Sequence, residues 1–258
     1  MKQTVFYLLY LTAITAAEIV LALSAVVPAI NPLFGVLCHI AILTALILHS
    51  AVIGQQSHQR MLMALSLAPL IRIVSLTIPL ANVHQLLWFP MVYAPLLAAA
   101  VMVVRIFGFK FRDIGVSFGS VPYQMMIALS GFAIGLAEYL ILRPEPVIAE
   151  LTWQAAWLPG LIFLVTTGLV EEFIFRGVMQ YTVERVFVRW GIVYISFLFA
   201  ILHVGFLSWV DVVFVFVVAL FFGWMVKKTG SLFGVTLAHG LANTTLYVIT
   251  PFLFTISW

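Results

Sequence analysis

Long runs of apolar residues, separated by short polar segments, make up most of the chain. A membrane-spanning helix needs about 20 mostly apolar residues, and most of the runs have about that length. The connections hold turn-forming and charged residues, as at Asn31-Pro32. The pattern predicts an all-α, polytopic transmembrane helical bundle of eight or nine spans, at residues 4–28, 32–53, 61–81, 87–104, 122–142, 156–184, 189–207, 209–226 and 231–256.

The distribution of Lys and Arg predicts the orientation of this bundle. Of the 12 such residues, Arg72 and Arg176 lie inside spans. If the nine spans alternate in direction, the side that holds the N-terminus carries nine of the others, and the opposite side carries Arg143 alone. Cytoplasmic loops are enriched in Lys and Arg, so we expect a cytoplasmic N-terminus.

Composition excludes several classes of protein. Apolar residues make up 64% of the 258, charged residues only 8%, and the mean hydropathy is +1.20. A soluble domain is about a quarter charged, so we expect a multi-pass protein of the cell membrane with the lipid bilayer as its surroundings. The net charge of +3 is small and dispersed, which argues against nucleic acid. Cys38, the single cysteine, excludes an intrachain disulfide and a thiolate metal cluster.

Some ionisable residues fall inside the predicted spans, where a charge costs about 2.5–3.5 kcal/mol at mid-bilayer. Glu18 and Arg72 lie near the middle of their spans, and we expect them to form an ion pair. Four histidines have no neighbouring cluster in the sequence and are interpreted as core or interfacial residues: His39, His49, His58 and His84.

Three short motifs place further polar residues at helical spacing. Glu172 and Arg176 are four residues apart with the acid first, the favourable order for a helical ion pair. Glu171 points about 100° away around an α-helix and is expected to have no local partner. By the same spacing, Phe199 and His203 share one helix face, and so do His239 and Asn243.

Depth in the membrane is consistent with a common site. At the α-helical rise, Glu171 lies roughly 21 Å from the cytoplasmic end of its span, His203 roughly 21 Å and Asn243 roughly 22 Å, with His239 about 6 Å shallower. A carboxylate, two imidazoles and a carboxamide in a dry cavity suit hydrolysis of a carbonyl compound by a glutamate-activated water. The alternative is a zinc site at Glu171, His203 and His239, although no acid is evident in the sequence to support either histidine.

The three motifs together resemble the CPBP family, the membrane proteins that include the CAAX proteases and bacteriocin-processing (Abi) proteins. The segment from Glu171 to Arg176 resembles its Glu-Glu-x-x-x-Arg signature, Phe199-Ala-Ile-Leu-His203 its Phe-x-x-x-His motif, and His239-Gly-Leu-Ala-Asn243 its His-x-x-x-Asn motif. The resemblance covers residues 122–258, so we divide the chain into N-terminal helices with a cytoplasmic loop at 1–121 and a catalytic transmembrane core at 122–258.

The resemblance implies a glutamate-dependent intramembrane endopeptidase with an all-helical fold of about eight spans. It implies that Glu171 and His203 activate water, that His239 and Asn243 bind the oxyanion, that Glu172 and Arg176 hold the site in shape, and that no catalytic metal is needed. The expected substrate is a membrane-anchored protein or peptide cut near its C-terminus, with either a prenylated CAAX-like end or a hydrophobic sorting tail. Two alternatives remain: a non-enzymatic immunity or assembly factor that binds a peptide in the same cavity, and a small transporter that uses Glu171, Glu18 and Arg72.

Overall fold

The computed structural model describes the backbone of residues 2–254 and the side chains of residues 4–254, and the regular elements in that range are helices. Seven described helices are long and apolar enough to cross a membrane. The prediction of an all-α, multi-pass membrane protein is thus confirmed. The seven are Thr4–Val26, Pro32–Val52, Gln56–Thr77, Gln85–Ile106, Val121–Leu142, Trp153–Val183 and Trp209–Thr229.

The helices follow the predicted stretches in order. In chain order they are α1 (Lys2–Val26), α2 (Pro32–Val52), α3 (Gln56–Leu65), α4 (Leu67–Thr77), α5 (Gln85–Ile106), α6 (Val121–Leu142), α7 (Trp153–Phe163), π1 (Leu164–Glu171), π2 (Phe173–Gln180), α8 (Tyr181–Val183), α9 (Gly191–Ile201), a short 3-10 turn (Val204–Phe206), α10 (Trp209–Thr229), α11 (Phe233–Thr244), π3 (Thr245–Ile249) and α12 (Thr250–Leu253).

Polar residues at the connections set several helix ends. The Asn31 side chain accepts a hydrogen bond from the Leu33 amide, and Pro32 occupies the first turn of α2. Thr152 accepts from the Ala155 amide, 3.3 Å away, at the start of α7. Gly230 takes a positive φ of 66° just after α10, as is common at helix C-termini.

The helix that carries the two adjacent glutamates departs from the predicted α-helical geometry. Its segments π1 and π2 have the wider turns of a π-helix, which are rare and often found at functional sites. The expected 100° rotation between Glu171 and Glu172, and the depths calculated from the α-helical rise, therefore do not apply there. The seventh predicted stretch, 189–207, is also interrupted, because α9 ends at Ile201.

The chain divides into two compact units. The first comprises Met1–Ile78 and Met179–Leu220, and the second comprises Pro79–Val178 and Phe221–Trp258. In the first unit, α2 packs against both α1 and α4. In the second unit, α11 packs against both α6 and π1.

Glycines allow α6 to approach α11 very closely in the second unit. A Cβ on Gly131 would lie 2.2 Å from the carbonyl oxygen of Ala238, and one on Gly135 would lie 2.2 Å from that of Ala242. On the same side, the buried Gln124 side chain accepts a hydrogen bond from the Gly234 amide, 2.7 Å long. This packing, which is typical of membrane helices, fixes α11 against α6 and turns the rest of its surface towards other elements.

Candidate active site

Some of the predicted site residues lie in the first unit and the others lie in the second. Phe199 and His203 belong to the first unit. The second unit holds the residues of the other two motifs, namely Glu171, Glu172, Arg176, His239 and Asn243.

Glu172 is the buried centre of the site in the second unit. Its side chain is 0% exposed. Its Oε1 atom accepts a hydrogen bond from Arg176 Nη1 at 2.9 Å and another from His239 Nδ1 at 2.8 Å. The Arg176 guanidinium also lies 5.7 Å from the centre of the Phe222 ring, within cation–π range. The expectation that no acid supports either histidine is wrong for His239, because the Glu172 carboxylate holds its Nδ1.

Glu171 occupies a different environment from its neighbour. Its side chain is 15% exposed, its Oε1 accepts a hydrogen bond from the Tyr93 hydroxyl, and its Oε2 lies 3.8 Å from His239 Nε2. Both partners are distant in the sequence, so these contacts do not contradict the expectation that Glu171 has no local partner on its own helix. Sequence reasoning missed Tyr93, although a phenol hydroxyl within an apolar span needs a hydrogen-bond partner and could have drawn attention to it.

The hydrogen bond to Glu172 determines how His239 presents its ring. A carboxylate only accepts hydrogen bonds, so Nδ1 must carry a proton and donate it. The other nitrogen, Nε2, faces Glu171 at a distance too long for a hydrogen bond but short enough for a charge interaction. His239 therefore lies between two carboxylates that contact opposite sides of its ring.

Asn243 is held by a second pair of hydrogen bonds. The Thr167 hydroxyl donates to the Phe163 carbonyl oxygen at 2.7 Å, so its oxygen remains the acceptor for the Asn243 amide nitrogen, 2.8 Å away. This arrangement determines which end of the carboxamide faces Thr167. Thr167 therefore bonds to the backbone of its own helix and also orients Asn243.

Two glycines bring the helices of these motifs together. A Cβ on Gly168 would lie 2.6 Å from the Thr236 carbonyl oxygen, and one on Gly240 would lie 2.7 Å from the Leu164 Cα. Their absence of side chains permits backbone contact between π1 and α11. His239 flanks Gly240 in the sequence and Glu171 follows Gly168 by three residues, so this contact explains why the side chains meet.

His203 lies in the turn after α9 rather than within a helix. Its Nδ1 is 3.0 Å from the Phe199 carbonyl oxygen, and the two rings are 4.9 Å apart between centroids. A carbonyl oxygen cannot donate, so Nδ1 carries the proton and Nε2 keeps the lone pair of the neutral ring. The turn continues through Leu207, which has a positive φ of 57°.

The described residues include no group of three His, Cys, Asp or Glu side chains placed to hold a metal ion. Glu172 nevertheless supplies His239 with the kind of acid partner that metal-binding histidines have.

Comparison with known proteins bears on the identity of this site. Residues 152–245 match the family model "Type II CAAX prenyl endopeptidase Rce1-like". No curated protein and no solved structure matches the chain. The matched segment includes the seven residues of the three motifs: those of the Glu-Glu-x-x-x-Arg motif, the Phe-x-x-x-His motif and the His-x-x-x-Asn motif. The predicted resemblance to CAAX proteases is thus confirmed for residues 152–245, which are similar to this Rce1-like endopeptidase domain.

Proposed function

We propose that the protein is an intramembrane endopeptidase in which Glu171 activates the attacking water. The match of residues 152–245 to a protease family model supports the general activity, peptide hydrolysis on membrane-anchored substrates. The assignment of Glu171 as the residue that activates water rests on one observation, which is that the two adjacent carboxylates have different hydrogen-bond partners. Glu172 is fully buried and holds both Arg176 and His239, whereas Glu171 is partly exposed and bonded by a neutral phenol.

In this mechanism Glu171 takes a proton from water as the oxygen attacks the scissile carbonyl carbon. The carbonyl oxygen becomes an oxyanion, which requires donors already in place. Asn243 offers an amide N–H whose orientation Thr167 fixes. His239 donates from Nε2 when both of its nitrogens carry protons, since Nδ1 is committed to Glu172. The intermediate then expels the amine, which receives the proton held by Glu171.

His203 has the role that the resemblance implies, which is to assist Glu171 in activating water. The contact of its Nδ1 with the Phe199 carbonyl leaves Nε2 as the proton-accepting nitrogen of the neutral ring. A proton acceptor is what water activation requires.

The proposed substrate is a membrane-tethered protein cut near its C-terminus. A backbone amide in lipid is hydrogen-bonded inside a helix unless local structure frays, so the scissile segment must be extended or frayed. A prenylated CAAX-like end and a short hydrophobic sorting tail both meet this condition.

The test compares variants of the full-length protein in liposomes on two internally quenched peptides, one with a farnesylated CAAX-like end and one with an unprenylated hydrophobic tail. We expect Glu171→Gln to lower kcat by about 10³-fold, because the base is lost while size and shape are kept. His203→Ala should also abolish cleavage. Glu150→Gln, at an exposed loop glutamate, is the matched control and should retain full activity.

Three outcomes would contradict the proposal. Full turnover by Glu171→Gln would exclude Glu171 as the base, and loss of wild-type cleavage in a strong chelator would show that a metal takes part. If neither peptide is cleaved, mass spectrometry of membrane peptides from cells with and without the Glu171→Gln variant would reveal the substrate. A cellular phenotype rescued equally by wild type and Glu171→Gln would favour the non-enzymatic binding factor.

A further inference from the structure

An ion-pair cluster lies inside the first unit. Arg72 binds Glu18 in a fork, with Nε 2.8 Å from Oε1 and Nη2 2.7 Å from Oε2, which confirms the pair predicted from the sequence. Glu18 is 1% exposed and Arg72 is 20% exposed. His39 is buried, as the interpretation as a core residue predicts, but it does have a neighbouring cluster, because its Nε2 lies 3.3 Å from Glu18 Oε1.

Arg72 makes one further contact, and it is with the end of another helix. Its Nη2 atom also donates to the carbonyl oxygen of Leu202, the residue that caps α9. The last carbonyls of a helix have no partner within it, and an irregular turn inside a membrane must have its backbone groups bonded by the protein. A guanidinium is well suited to this end, because the helix dipole places partial negative charge there.

The residue after Leu202 is His203. Its backbone amide bonds to the Ala200 carbonyl oxygen at 2.9 Å, and its own carbonyl oxygen accepts from the Phe206 amide at 3.0 Å. The position of the imidazole therefore depends on a short turn whose first carbonyl is held by Arg72. Nothing in the reaction requires Glu18 or Arg72 to touch the substrate.

We propose that Glu18 and Arg72 are positioning residues for His203: the carboxylate aligns the guanidinium, and the guanidinium fixes the Leu202 carbonyl and so the turn that presents the imidazole. This assigns a function to helices α1 and α4 of the N-terminal part. The inference rests on the proposed function for the catalytic importance of His203, but its structural content can be tested separately.

The first variant is Arg72→Lys, which keeps the charge but cannot bind Glu18 and the Leu202 carbonyl with one planar fork. We expect kcat on the cleaved peptide to fall about 10-fold to 100-fold, because a small displacement of a reacting group has effects of that size, while KM stays within about twofold. Arg185→Lys is the matched control, because Arg185 is exposed and bonds the Tyr181 carbonyl oxygen at 2.6 Å near the end of a helix in the same unit. It should leave both constants unchanged.

The second variant separates positioning from stability. Replacement of a buried ion pair by apolar residues often preserves or raises stability, so Glu18→Met with Arg72→Met should fold without leaving an unpaired charge. Positioning predicts that its kcat stays low although its thermal unfolding matches wild type. A purely structural role predicts that kcat is restored, and that result would overturn the proposal.

A spectroscopic measurement makes the inference independent of turnover. In protein labelled with ¹⁵N-histidine, the His203 signals, identified by their loss in His203→Ala, should show the single Nδ1–H tautomer that the Phe199 carbonyl selects. The double Met variant should show a mixture of tautomers, and retention of the single tautomer would contradict positioning. If His203→Ala retains full turnover, the role of His203 in the proposed function fails, and this tautomer measurement alone decides the positioning of its ring.

Discussion

At the scale of a residue, a single hydrogen bond determines which ring nitrogen His239 directs towards Glu171. Its spacing from Asn243 predicts a shared helix face, but not which atoms of the ring are committed. Glu172 binds Nδ1, so only Nε2 is directed at Glu171. The buried glutamate therefore does more than neutralise Arg176, since it also sets the direction in which the imidazole can donate.

Tyr93 offers the most direct test of the geometry around Glu171. Its hydroxyl fixes Oε1 of the carboxylate, so Tyr93→Phe should free the side chain to rotate and lower kcat about 10-fold, with KM little changed. Steady-state kinetics in liposomes would measure this. Tyr123→Phe, at an exposed tyrosine of α6, is the control. Unchanged kcat in Tyr93→Phe would show that Glu171 needs no such support.

The side-chain contacts that the sequence did not predict join residues that lie far apart along the chain. The Glu172–Arg176 spacing lies within one helix and is readable from the pattern. The contacts of Tyr93 with Glu171 and of Thr167 with Asn243 span 78 and 76 residues. In a single sequence, such contacts are visible only as polar side chains within apolar spans, and the sequence does not show which residues they bind.

At the scale of elements, hydrophobic runs gave the helices in the right order but not their internal geometry. The run 156–184 reads as one α-helix, whereas the structure widens it into π1 and π2 where the glutamates lie. In a soluble protein, the period of the apolar residues marks the helix face that is buried away from water. In a membrane, nearly every face of a helix is apolar, because lipid surrounds it. Periodicity is therefore a weak guide to helical pitch in a chain of this composition.

The contact between π1 and α11 can be tested with a single methyl group. Gly168→Ala would place a Cβ 2.6 Å from the Thr236 carbonyl oxygen, which forces the backbones apart. We expect a loss of about 1–3 kcal/mol in the free energy of unfolding and a large fall in kcat, because Glu171 and His239 separate. Thermal unfolding in detergent and peptide cleavage would measure both.

Gly160→Ala provides the matched control for that experiment. Gly160 lies in the same continuous helix, but its added Cβ would meet the nearest atom, on Thr244, at an ordinary 3.5 Å. It should be neutral or slightly stabilising, because alanine favours helix more than glycine does. Equal stability of the two variants would show that the close glycine contact is not what holds π1 against α11.

At the scale of the whole molecule, composition and charge predict a membrane location and an orientation, and only the location has been confirmed. The predicted orientation depends on how many spans alternate in direction, and the described helices of spanning length differ in number from the nine predicted stretches. Seven of the described helices are long enough to cross, whereas Gly191–Phe206 is shorter and the last described helical stretch runs from Phe233 through π3 to Leu253. The distribution of cations remains the physical basis for a cytoplasmic N-terminus.

Single-cysteine labelling would test this orientation directly. With Cys38 replaced by serine, the chain has no other thiol, so Arg112→Cys and Glu145→Cys each introduce one exposed label site, in the connections before and after α6. Because α6 is long enough to cross, the two sites should lie on opposite sides. In intact spheroplasts, a membrane-impermeant maleimide should label the Glu145→Cys variant at once and the Arg112→Cys variant only after lysis. The reverse order would invert the topology, and equal labelling of the two variants would show that α6 does not span the membrane.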